Sequence, residues 1–187
     1  MKIRAPKSLV IAVVFPIVMA ILAVSPGIGN TADTAKIEIR SPAFANGDSI
    51  PEAYTCKGAD KSPALEWSGI PAGAKSLALI VEDPDAPGGT FIHWVVYSIS
   101  ADRRGLPEDV AKDESVSGVG RQGTTGFGKV GYHGPCPPPG MPHHYHFRLY
   151  ALDAEVDPGS SVDASKLEAA MQGHILGSGE TVGLFQR

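Results

Sequence analysis

The sequence predicts a mainly β domain with one well-marked helix, on three observations. Two nearly continuous apolar runs, Leu77–Val81 and Phe91–Ile99, lack a polar face and read as strands covered on both sides. A third run, His143–Leu152, alternates with period two, as a strand with one buried face does. The 187 residues include 22 glycines and 16 prolines beside 43% hydrophobic residues. That mixture suits short strands joined by long loops rather than a disordered chain.

At the N-terminus, Lys2, Arg4 and Lys7 precede the uncharged apolar run Leu9–Val24, which is followed by the breaker-rich Ser25–Ala32. The run falls short of the ~20 residues that cross a bilayer comfortably, and its flanks suit a secretory signal over residues 1–32. Ala32 or Gly29 can precede a cut, and an uncleaved anchor is the alternative; no cysteine follows the run to carry a lipid. The folded domain, residues 36–187, is therefore expected in the periplasm or outside the cell. A formal net charge of −4 with no basic stripe argues against nucleic acid as a partner.

Lys36–Ile39 alternates and predicts the first strand, and Pro42–Pro51 a loop turning at Gly47-Asp48. Tyr54–Cys56 reads as a short extended piece, and Ala64–Trp67 as a strand ending in the Gly69–Gly73 turn. The central strand from Leu77 then breaks into Glu82-Asp-Pro-Asp-Ala-Pro87. Pro84 holds Asp83 extended and, with Pro87, stiffens the turn, leaving two carboxylates at the mouth of a core strand. Residues 101–142 hold few apolar runs, and so long an irregular stretch points to function. Ser165 with Glu168 predicts a capping box. Leu167, Met171, His174 and Ile175 fall on one face of the helix that follows, Gly177 and Gly179 stop it, and Thr181–Phe185 is a final strand.

Strand parity sorts the histidines. His143, Tyr145, Phe147 and Leu149 share one face of their strand, which reads as a pocket wall, and His144, His146 and Arg148 share the solvent face. His93 is placed with Phe91 and Val95. The proline-rich Gly131–Gly140 forms no regular structure and reads as a rigid wall, with Gly134 letting a ligand approach the backbone. The only cysteines, Cys56 and Cys136, are either a disulfide worth about 4 kcal/mol of chain entropy or two separate buried thiols.

Four motifs in order, LALIVEDPDAP, FIHWVVYSI, GYHGPCPPPG and HHYHFRLYALD, closely resemble the phosphatidylethanolamine-binding protein (PEBP) family, in its bacterial branch labelled Raf-kinase-inhibitor-like. The resemblance covers about residues 36–187. It implies a large central antiparallel sheet, a smaller sheet and peripheral helices. It also implies a small anion pocket for phosphate, acetate or phosphoethanolamine-like head groups. Carried over by motif, that pocket takes Asp83, Asp85, His93, the loop Gly134, Pro135, Cys136 and Pro137, and His143 and Tyr145. The chain departs from many relatives at His144, where they carry arginine, and at Phe91, where some carry tryptophan. Around Arg121–Gly128 nothing is carried over.

The function expected from this resemblance is non-catalytic binding of a small phosphorylated ligand, with no cofactor and no metal. The aspartates would orient the histidines and raise their pKa. A kinase or protease regulated through surface loops, and a homodimer, remain open as partners. A hydrolase using Asp83, His93 and His143 is the enzymatic alternative, although no nucleophile elbow, phosphate loop or HExxH pattern is present.

Overall fold

The computed structural model describes residues 1–2 and 34–187, so the predicted signal segment lies outside the described residues. In chain order the strands are β1 (Ala35–Lys36), β2 (Glu38–Arg40), β3 (Leu65–Ser68), β4 (Ser76–Asp83) and β5 (Phe91–Ser100), then β6 (Gly105–Leu106), β7 (Ser115–Val116), β8 (Gly120–Gln122) and β9 (His143–Leu152). The helix α1 (Ala164–Met171) precedes β10 (Ile175–Phe185). Seven strands form the larger sheet in the order β1-β10-β9-β4-β5-β8-β7, and β2-β3-β6 form the smaller. Among the described residues no helix is long and apolar enough to cross a membrane.

The architecture is mainly β as predicted, but the large sheet is mixed rather than purely antiparallel, because β1 runs parallel to β10. The expected strand Lys36–Ile39 supplies both sheets. Ile37 is buried at the crossing and its N–H donates to Ser178 O, after which β2 pairs antiparallel with β3. Tyr54 closes a short 3-10 turn, Glu52–Tyr54, rather than an extended piece.

β4 lies between β5 and β9, and all eight of its residues are buried. One face (Leu77, Leu79, Val81) packs with Trp94, Phe147 and Trp67 between the sheets. The other (Ala78, Ile80) packs with Val95, Tyr97, Leu167 and Met171 beneath α1. Each large apolar side chain so covered contributes about 1.5–3 kcal/mol, so the strand that carries the Asp-Pro turn is anchored on both faces.

The helix starts and stops earlier than predicted. Asp163, not Ser165, is its N-cap and accepts from Lys166 N at 2.9 Å; an aspartate three residues before a free N–H caps as well as a serine. The helix ends at Met171, and Gly173 turns the chain with φ 83°. His174 and Ile175 are therefore outside it. Gly177 and Gly179 belong to β10, where a Cβ on Gly177 would lie 2.8 Å from Ala35 O of β1 and one on Gly179 would run into the backbone of Ile37 just after it. Those glycines answer a strand contact and not a helix stop.

Candidate functional site

The last residue of β4 organises the site. Asp83 is 3% exposed. Its Oδ1 accepts from Asp85 N at 2.9 Å, closing the turn, and its Oδ2 accepts from His143 Nδ1 at 2.8 Å. His143 begins β9 just beyond the last β4–β9 pair, Glu82 with His146. The carboxylate thus ties the turn to the adjacent strand.

His93 enters the same space through an irregularity. Val81 pairs with Trp94 but Glu82 pairs with Ile92, so His93 has no partner residue on β4. Such a bulge re-aims a side chain. The His93 ring packs against Phe91 and edge-on to Tyr145, each at 5.2 Å between centroids, whereas Val95 packs beneath α1. The expected grouping of His93 with Phe91 holds and that with Val95 does not, because the bulge shifts the alternation by one residue.

His93 Nδ1 donates to the carbonyl of His133 at 2.6 Å, and His133 N donates back to His93 O at 3.0 Å. A carbonyl only accepts, so the proton resides on Nδ1 and Nε2 presents a lone pair. Burial lowers the His93 pKa in spite of nearby Asp83, opposite to the rise expected from the aspartate. His133 is lowered as well, first by burial and then by Lys112.

Folded pKa values below the usual 6.5 mean that the unfolded chain binds more protons in that range. Stability therefore falls as pH drops below 6.5 towards the folded values, by up to about 1.4 kcal/mol per pH unit for each histidine. Urea unfolding between pH 7 and pH 5 is expected to show this slope, and His93→Gln to flatten it. An unchanged slope in His93→Gln would place the proton uptake elsewhere.

A cavity of about 180 Å³ opens between these elements. Asp83, His93, His143, Cys136 and Pro137 line it, as anticipated. Phe91 and Pro138, the latter from the predicted Gly131–Gly140 wall, line it as well, and so do Ala86, Pro87 and Phe127, which were not assigned from sequence. Phe127, 45% exposed, stands at 4.7 Å from Phe91 and 5.7 Å from His93 between ring centroids. Its sequence signal is an aromatic between two glycines inside the long irregular stretch.

Four predicted residues lie elsewhere. Asp85 turns away from the cavity: its Oδ2 accepts from His144 N at 2.8 Å and His144 Nδ1 at 2.7 Å, and the His144 contact lowers its pKa. Tyr145 lies behind the lining, fully buried, with a hydroxyl that meets no hydrogen-bond partner. Burial first, then the neighbouring Asp83 charge, push that phenol's pKa up. Pro135 O accepts from Cys56 N at 3.1 Å outside the lining.

Gly134 approaches protein and not ligand: its N–H donates to Asp60 Oδ1 at 2.6 Å, and a Cβ there would lie 2.2 Å from Tyr54 O. Since the obstacle is backbone, Gly134→Ala is expected to cost about 1–3 kcal/mol, read as a lowered urea midpoint; an unchanged midpoint would contradict this packing.

Cys56 and Cys136 are bridged, with Cα atoms 5.4 Å apart, so the bridge pins the Pro137-Pro138 wall to the segment after Tyr54. Among the described residues no three His, Cys, Asp or Glu side chains are placed to hold a metal. His144 pairs with Asp85 and His146 with Glu180 on the outer face, away from His93 and His143.

Comparison with known proteins agrees with this architecture. Residues 40–186 match the family described as Phosphatidylethanolamine-binding protein. The chain is 47% identical over 161 residues to a UPF0098 protein of Aquifex aeolicus, covering 84% of this chain and 92% of that one. It is 40% identical to a UPF0098 protein of Pyrococcus horikoshii, covering 92% and 88%. Among solved structures it is similar to Escherichia coli YbcL, described as a member of the mammalian PEBP family, with a TM-score of 0.75, 32% identity and coverage of 82% and 99%. A PEBP homolog from Chlamydia trachomatis gives a TM-score of 0.72, 38% identity and coverage of 81% and 98%. With the fold and four ordered motifs matched over nearly the whole described chain, the protein belongs to the phosphatidylethanolamine-binding protein family.

Proposed function

We propose that the cavity between Asp83, His93 and His143 binds a small phosphorylated ligand of the phosphoethanolamine type, without turnover. The observation that carries this reading is the pairing of Asp83 Oδ2 with His143 Nδ1 at 2.8 Å on the wall of a pocket whose other lining, His93 apart, is apolar side chains and a disulfide. With Nδ1 committed to the carboxylate, His143 can offer a proton from Nε2 as an imidazolium that Asp83 neutralises, a donor suited to a phosphate oxygen. His93 Nε2 accepts from a protonated phosphate oxygen. Phe91 and Phe127 offer aromatic faces to an ammonium group.

Size favours a head group over a whole lipid. At about 180 Å³ the cavity lies below the roughly 300–1,000 Å³ of pockets that enclose drug-sized ligands, so acyl chains would lie outside it. The lining sulfur, Cys136, is held in a disulfide, which removes thiolate chemistry from the cavity. The disulfide and the N-terminal segment together support a working place outside the cytoplasm.

Calorimetric titration with phosphoethanolamine tests this reading. His143→Ala is expected to weaken binding about 10- to 100-fold, the effect of losing one charge-assisted hydrogen bond. Equal affinity of the two proteins would sink it.

A further inference from the structure

We propose that the opposite end of β5 carries a second oxyanion site, in the cavity between that strand's end and the β7–β8 hairpin. The cavity measures about 520 Å³ and is lined by Arg103, Arg121, Ser98, Ser100, Ser115 and the hairpin turn at Gly118–Gly120. From Phe91 to Ser100 the strand spans about 30 Å, so this cavity is separate from the one at Asp83 and shares no residue with it.

The composition of the walls defines the ligand. Two arginines and three serines line the cavity, and no carboxylate does. Among the described residues neither arginine forms a salt bridge. Arg103 lies against the hairpin, where a Cβ on Gly118 would come within 3.3 Å of its Nη2, and its Nε is buried without an acceptor. That nitrogen is shielded from the cavity, so the terminal Nη atoms of Arg103 are the ones left to meet a ligand there. Arg121 stacks over the Tyr97 ring at 5.4 Å, which holds its planar fork at the boundary with a neighbouring cavity lined by Tyr97 and Glu114.

The backbone adds to the case. Ser98 adopts φ 53°, unusual for a residue with a side chain, in the stretch where β4–β5 pairing slips between Leu77 with Ile99 and Leu79 with Val96. Strained residues of this kind recur at ligand sites. Planar guanidinium pairs with flanking hydroxyls select tetrahedral oxyanions, so the ligand is a phosphate or a phosphate monoester, and the cavity leaves room for an attached polar group.

Amide NMR titration of the protein with inorganic phosphate, at ionic strength held constant with chloride, tests the site. Saturable shifts are expected at Ser98, Ser115, Gly118 and Gly120, independently of shifts around His93 and His143. Arg121→Gln and, separately, the exposed Ser115→Glu are each expected to weaken the hairpin shifts at least tenfold while leaving the His93 shifts unchanged. The proposal is overturned if phosphate gives no saturable shift at the hairpin, if chloride alone reproduces it, or if both variants titrate like the parent protein. Failure at His93 with success at the hairpin would leave this site standing without the first.

Discussion

The doubly substituted protein Cys56→Ser, Cys136→Ser is expected to lose about 4 kcal/mol of stability, because the bridge closes a loop of 80 residues in the unfolded chain. The loss is expected as a lower urea midpoint. The same variant should lose ligand before it loses its fold. Cys136 lines the cavity, and the bridge is the covalent tie that, with the Cys56 N–Pro135 O and Gly134 N–Asp60 Oδ1 bonds, holds its loop to the segment after Tyr54. Phosphoethanolamine titration under conditions where the variant remains folded should therefore show affinity reduced tenfold or more. A loss below 1 kcal/mol with intact binding would mean that the proline-rich loop keeps its shape unaided.

Asp83→Ala is expected to be nearly as damaging. The carboxylate is buried and holds both the Asp85 N–H and His143 Nδ1. Removing one partner of a buried pair leaves the other unpaired, at about 3–5 kcal/mol. Asp83→Asn retains an acceptor for the Asp85 N–H but no charge to balance an imidazolium at His143. It should recover part of the stability and little of the binding. Thermal unfolding and calorimetry of the two variants separate these effects. Full binding by Asp83→Asn would show that the charge on Asp83 is not what prepares His143.

Most of this site was legible where it rests on strand periodicity. Alternation along β9 placed His143 and Tyr145 inward and His144 outward, and the structure agrees. Periodicity fails where a strand slips. The bulge opposite Glu82 detaches His93 from Val95 and aims it at the cavity, and no residue type between Phe91 and Trp94 marks that slip. Asp85 shows a different limit. Two aspartates flanking a proline look equivalent in sequence, but Asp83 ends a buried strand whereas Asp85, two residues on, lies outside and captures His144.

The glycines expose the same difficulty from another side. Gly177 and Gly179 look like helix stops until β1 is seen to cross them, a contact between positions about 140 residues apart. Phe127 was missed because its role depends on a loop folding back over Phe91, which local pattern does not encode. Of the residues that the resemblance names, Asp83, His93, Cys136, Pro137 and His143 line one cavity, together with Phe91 and Phe127.

The most direct measurement is a crystal structure of the protein soaked in phosphoethanolamine. The account predicts a phosphate group within hydrogen-bond distance of His143 Nε2 and His93 Nε2, with the ammonium end against Phe91 and Phe127. An empty cavity at a ligand concentration that saturates the protein in solution, or ligand bound only away from Asp83, would contradict it.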